Sequence, residues 1–111
     1  MELARYIVNV LEEKKAEDIL LLDIREISDF TDYFIITTGT SDRMLNALAD
    51  AVRDAVKTRY QRISLKEGEA QEGWIVEDFG DIVVHFFSPD RREYYRLEDL
   101  WNKGRVIIRL Q

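Results

Sequence analysis

Gly73-Trp74-Ile75-Val76-Glu77-Asp78-Phe79-Gly80-Asp81-Ile82-Val83-Val84-His85-Phe86 is the stretch whose reading decides the fold. Two apolar runs rich in β-branched and aromatic residues are separated by Phe79-Gly80, the pattern of a β-hairpin. If that turn is two residues long, Trp74 faces His85 and Val76 faces Val83. Side chains alternate across a strand, so Trp74, Val76, Val83 and His85 share one face and Ile75, Ile82, Val84 and Phe86 the other. The second face is the better core. The first holds a tryptophan in acidic surroundings, because Lys66, Glu67, Glu69, Glu72, Glu77, Asp78 and Asp81 set one positive charge against six negative ones. A large ring in a field of one sign suits a basic partner, the charge speeding encounter and the ring supplying affinity. The plain alternative is a half-buried sheet tryptophan with solvated charges around it.

Upstream, Leu3, Tyr6, Ile7, Val10 and Leu11 recur at helical spacing and predict an amphipathic first helix. Asp18 to Ile24 and Asp32 to Thr38 carry unbroken apolar runs, which suit strands covered on both faces at the centre of a sheet. Gly39-Thr40-Ser41 then turns the chain into a long helix, with Thr40 or Ser41 as its cap and Leu45, Leu48, Ala49, Val52 and Val56 as the buried stripe. Downstream, Ser88-Pro89-Asp90 starts another helix. It places Tyr94, Leu97 and Trp101 on one stripe and Tyr95, Glu98 and Asn102 on a neighbouring one; Gly104 ends it before a short edge strand or tail at Val106-Ile107-Ile108. The order helix, strand, strand, helix, strand, strand, helix predicts a single α/β domain over residues 1–111, a mixed β-sheet of about five strands flanked by helices.

The 111 residues include no Cys, which removes disulfides, thiolate metal sites and thiol nucleophiles and fits a reducing compartment, the cytoplasm by default. Neither a signal-peptide pattern nor an apolar run long enough for a membrane span is evident. Sixteen Lys and Arg against 22 Asp and Glu leave a net charge of -6. Nucleic-acid binders draw affinity from clustered basic residues, so no DNA partner and little direct RNA contact are expected; a basic protein is the better match.

His85 is the only histidine, so a two-histidine metal site is excluded, and its plain role is to pack on Trp74. No G-x-S-x-G elbow supports a catalytic triad, and Thr37-Thr38-Gly39-Thr40-Ser41 lacks both the lysine of a P-loop and the three glycines of a dinucleotide fingerprint. Asp78 and Asp81 could share a divalent ion, but turn residues are also acidic for conformational reasons. Asp23 and Asp32, at strand ends, have no identifiable partner. No cofactor and no metal are expected.

Three blocks taken together carry a resemblance: Thr31 to Arg43 (TDYFIITTGTSDR), Gly73 to Phe86, and Arg92 to Trp101 (REYYRLEDLW). In this order and spacing they resemble the ribosomal silencing factor family, also called Iojap-related, over essentially the whole chain. The resemblance implies a nucleotidyltransferase-like sheet without established nucleotidyl transfer. It implies binding to large ribosomal subunit protein fourteen on the face that meets the small subunit, with hindered subunit joining and lowered translation when nutrients are short. The contact would then fall on Trp74 and Tyr95 first, with Asp78, Phe79, Leu97, Glu98 and Trp101 next. A homodimer when free is also implied. The alternative class is a degenerate nucleotidyltransferase-like nucleotide-binding protein or enzyme. It would need a Gly-Ser or Gly-Gly turn and a strand presenting acidic, apolar, acidic residues to a metal, where this chain has Gly39-Thr40 and an acidic cluster at a hairpin tip.

Overall fold

The computed structural model describes all 111 residues. Its helices and strands follow in the order α1 (Glu2–Glu13), β1 (Glu17–Asp23), β2 (Tyr33–Thr38), α2 (Asp42–Tyr60), β3 (Leu65–Glu69), β4 (Trp74–Asp78), β5 (Ile82–Phe87), α3 (Pro89–Tyr95), α4 (Leu97–Leu100) and β6 (Arg105–Leu110), with a 3-10 turn, Ala70–Glu72, before β4. The strands form one sheet in the order β3-β4-β5-β2-β1-β6. All neighbours are antiparallel except β2 and β5, whose parallel register runs from Tyr33 beside Ile82 to Thr38 beside Phe87. The sheet is therefore mixed, with β1 and β2 interior as their apolar runs predict.

One face of the sheet is covered by α1 and α2. Leu3, Ile7 and Leu11 of α1 and Leu45, Leu48, Val52 and Val56 of α2 close over Ile19, Leu21, Ile35, Ile75, Val84 and Phe86. Ser41 is the cap of α2, its Oγ accepting from the Met44 amide at 3.0 Å. The opposite face carries a smaller cluster of Leu20, Leu22, Phe34, Ile36, Val83 and Phe87, against which Trp74, Val76, Leu97 and Trp101 pack.

Three expectations are corrected. The sheet has six strands because Leu65–Glu69 pairs with β4 along its whole length. The turn of the hairpin falls on Gly80-Asp81, since the Phe79 amide donates to the Ile82 carbonyl at 2.8 Å; Trp74 thus pairs with Phe87 and Val76 with His85. Gly80 takes the positive φ of +94° that this tip needs, and its amide donates to Asp78 Oδ1 at 2.8 Å. The partner shift is two residues, an even number, so the side chains stay on the faces predicted for them. Finally, the single helix expected from Ser88 to Gly104 is broken at Arg96, which adopts φ 45° between α3 and α4.

Candidate docking face

The sheet face away from α1 and α2 leaves part of its surface open. Trp74 lies at its β4 end, half-buried, with its ring stacked on Phe87 at 4.9 Å and against Tyr95 at 4.6 Å. Its indole Nε1–H donates to His85 Nδ1 at 3.2 Å. Tyr95 keeps 40% of its surface and Tyr94 beside it 74%, so the outer side of this group is accessible. His85 links it to a second aromatic group, its ring 4.8 Å from Phe34, which meets Trp101 at 5.2 Å; Phe30, 62% exposed, caps Trp101 at 5.8 Å.

Local sequence explains why Tyr95 reaches Trp74. Ser88 caps α3 by accepting from the Arg91 amide, and its own amide donates to the Gly73 carbonyl at 2.9 Å. Gly73 has φ +78°, and a Cβ there would stand 2.5 Å from Arg91 Cγ and 2.6 Å from Ser88 Oγ, so a larger residue would displace these side chains and with them the Ser88 cap of α3. Arg92 pins the other side of the segment. Its guanidinium donates to the Asp18 carbonyl at 2.6 Å, to Thr38 Oγ1 at 2.9 Å and to Glu98 Oε2 at 3.1 Å.

Beside Trp74 runs a groove of about 620 Å³, lined by Glu67, Glu72, Trp74, Val76, Arg91 and Tyr95 among others. Glu67, Glu69 and Glu72 are exposed around it, so the acidic field is real on this side. Glu77 does not belong to it. That carboxyl is fully buried on the α2 side of the sheet, neither oxygen has a hydrogen-bond partner, and burial pushes its pKa up to about 8. Asp81 leaves the field as well, pairing with Arg62 at 2.6 Å, a contact that holds its carboxyl below the usual range.

Of the seven residues expected at the contact, Trp74 and Tyr95 adjoin each other, and Leu97 and Trp101 pack on the same face. The shared stripe of Tyr94, Leu97 and Trp101 does not exist, because the break at Arg96 turns Tyr94 to solvent and Leu97 and Trp101 inward. Glu98 is occupied by Arg92. Asp78 is half-buried at the far end of β4, on the Trp74 face. Phe79 is the misfit: only 6% exposed, it belongs to the large core beneath α1 and α2, because the turn starts one residue later than expected. Phe30 was missed, since it lies in the β1–β2 loop where nothing in its local sequence marks a partner.

Of the two remaining acidic candidates, Asp32 is exposed and Asp23 has a structural occupation. Asp23 forms an ion pair with Arg25 at 2.7 Å, which lowers its pKa to about 2. No group of three or more His, Asp or Glu side chains is arranged to hold a metal ion. No helix is long and apolar enough to cross a membrane.

By fold this is a single-domain α/β protein with a six-stranded mixed sheet, and its candidate site is an open aromatic surface instead of an enclosed cleft. The chain belongs to the family described as ribosomal silencing factor during starvation, whose model matches residues 1–110. It is 42% identical over 90 residues to ribosomal silencing factor RsfS of Bacillus subtilis, covering 81% of this chain and 76% of that one. It is 35% identical over 98 residues to mitochondrial assembly of ribosomal large subunit protein 1 of Mus musculus, covering 86% of this chain but 43% of that longer protein. Among solved structures, one from Chromobacterium violaceum superposes with TM-score 0.86 at 35% identity, covering 91% of this chain and 84% of the other. Another, from Bacillus halodurans, superposes with TM-score 0.77 at 38% identity, covering 90% and 93%.

Proposed function

We propose that this protein represses translation by steric occupancy of the large ribosomal subunit. It binds large-subunit ribosomal protein fourteen through the Trp74 face, and its bulk then blocks association with the small subunit under nutrient limitation. The observation that carries this reading is the accessible Trp74 and Tyr95 pair, 4.6 Å apart, beside a groove rimmed by Glu67 and Glu72. Ribosomal proteins are basic, so sign and shape complement each other. Family membership and the name of the bacterial relative support a ribosomal target, and the name of the mouse relative supports the large subunit.

Trp74 and Tyr95 serve as anchors, Leu97 and Trp101 extend the same face beside them, and Asp78 and Glu98 stand at the rim. Phe79 holds the hairpin in place from inside the core. No covalent step is required, so the protein acts without being an enzyme and without a cofactor. The net charge of -6 disfavours contact with ribosomal RNA over a broad face and directs binding toward protein. The site of action is the cytoplasm. A homodimer of the free protein would have to rearrange before docking.

The test is binding of the parent chain and Trp74→Ala to purified large subunits and to isolated ribosomal protein fourteen, followed by small-subunit joining. Trp74→Ala should lose about 2 kcal/mol, roughly thirtyfold in affinity, and relieve the block on joining. Equal affinity of the two proteins, each folded, would remove Trp74 from the contact.

A further inference from the structure

His85 sits under the aromatic face with a hydrogen-bond pattern that packing alone does not require. It is 6% exposed, and its one polar contact is Nδ1, which accepts from Trp74 Nε1 at 3.2 Å. An accepting Nδ1 places the proton on Nε2, and Nε2 is buried with no partner. Leaving a buried donor unpaired is unfavourable, and an apolar side chain at this place would avoid it. The imidazole is itself held fast, with Phe34 edge-on at 4.8 Å and Phe87 nearly parallel at 6.1 Å. Trp74, by contrast, is only half-buried. Because Trp74 pairs with Phe87 and His85 with Val76, indole and imidazole are diagonal neighbours on one face of the hairpin, within reach of a bond that fixes the direction of the indole plane.

We infer that His85 is a positioning residue: its Nδ1, clamped between Phe34 and Phe87, holds the Trp74 indole in the orientation that docks the partner. The inference rests on the docking role of Trp74 and adds what prepares that side chain for it. A ring held in one rotamer before encounter loses less freedom on binding, so affinity depends on a group the partner never touches.

The experiment uses the full chain. In nitrogen-15 spectra of the free protein, the single histidine should be the Nε2–H tautomer, and the Trp74 indole N–H, distinguished from that of Trp101 by Trp101→Phe, should exchange slowly with solvent. Binding to purified large subunits is then measured for the parent, His85→Leu, His85→Asn and Trp74→Ala. His85→Leu should melt no lower than the parent yet bind about tenfold more weakly, the usual size of one hydrogen bond expressed as affinity. His85→Asn, whose Oδ1 stands near the place of Nδ1, should bind within about threefold of the parent. Where His85→Leu does not fold, His85→Gln replaces it, since its amide reaches past the δ position, and the same loss is expected. Parent-like binding by His85→Leu, or by His85→Gln where it stands in, while Trp74→Ala is weak would overturn the inference and leave the docking role intact. So would a freely exchanging indole, or His85→Asn as weak as His85→Leu. Parent-like binding by Trp74→Ala would instead sink the docking role, and the inference with it.

Discussion

Glu77→Gln should make the protein more stable, by an amount that grows with pH. The carboxyl lies fully buried between β4 and α2 with both oxygens unpaired, and its pKa stands at about 8 against the ordinary 4.5. Burial is the main cause; Asp50 and Asp54 push the same way, and Arg53 and Lys66 offset part of it. Between these two values the folded chain holds a proton that the unfolded chain has released, so stability falls as pH rises through the window and levels off above 8. At about 1.4 kcal/mol per tenfold in proton affinity, the cost relative to acid conditions is about 3 kcal/mol at pH 7 and about 5 kcal/mol at pH 9. Glutamine has nearly the same shape and never ionises. Urea unfolding of parent and variant should therefore show a gap of about 1 kcal/mol at pH 5 that widens to those amounts at pH 7 and 9. Burial holds His85 at about 4, which removes stability as pH falls from 6.5, but both proteins share that slope and it cancels in the difference. A constant gap across the three pH values would refute the assignment of an uncompensated buried carboxyl.

Phe79→Ala should cost about 3 to 4 kcal/mol of unfolding free energy, because its ring belongs to the large core, while any protein that folds binds large subunits like the parent; calorimetry and a binding titration check the two halves. Tyr95→Ala should show the opposite balance, with little change in melting temperature and a loss of roughly tenfold or more in binding to ribosomal protein fourteen. Ser41→Ala removes the cap of α2 and should destabilise by about 1 kcal/mol in urea unfolding, without changing binding. Arg92→Ala breaks the ties to Asp18, Thr38 and Glu98 together, and hydrogen exchange should show α3 and α4 opening well before the sheet does.

Much of the fold was legible because periodicity records burial. The runs in β1 and β2 are apolar at consecutive positions since both faces are covered, and the hairpin separates Trp74 from Ile75 by simple alternation. β3 was illegible because Leu-Lys-Glu-Gly-Glu buries nothing; all five residues are exposed, and backbone pairing with β4 alone makes it a strand. The break at Arg96 was hidden for the opposite reason. Tyr94, Leu97 and Trp101 continue a helical spacing through it, no Gly or Pro marks it, and tertiary packing of Leu97 and Trp101 on the sheet overrides local preference. At the candidate site, residue chemistry pointed to Trp74 and its acidic surroundings, whereas the occupation of Glu77, Asp81 and Phe79 depended on which way each side chain faces. The bond between Trp74 and His85 needed the true register, since the two are diagonal neighbours and not the directly opposed pair that a turn at Phe79-Gly80 implies.

The strand order also determines when the sheet can be completed during synthesis. β6 follows the other five strands along the chain, yet it pairs with β1, so that Leu110 must find Ile19 across a long separation, and the central β2–β5 pair likewise joins segments far apart. Contacts of such long range slow folding, and until β6 has left the exit tunnel one flank of β1 offers unpaired amides and carbonyls to any neighbour. A nascent chain of this topology is vulnerable until β6 is available, and that six-residue strand works as a latch. Ribosomes stalled within the β6 codons should carry an open, protease-sensitive sheet, whereas emergence of β6 from the tunnel should close it.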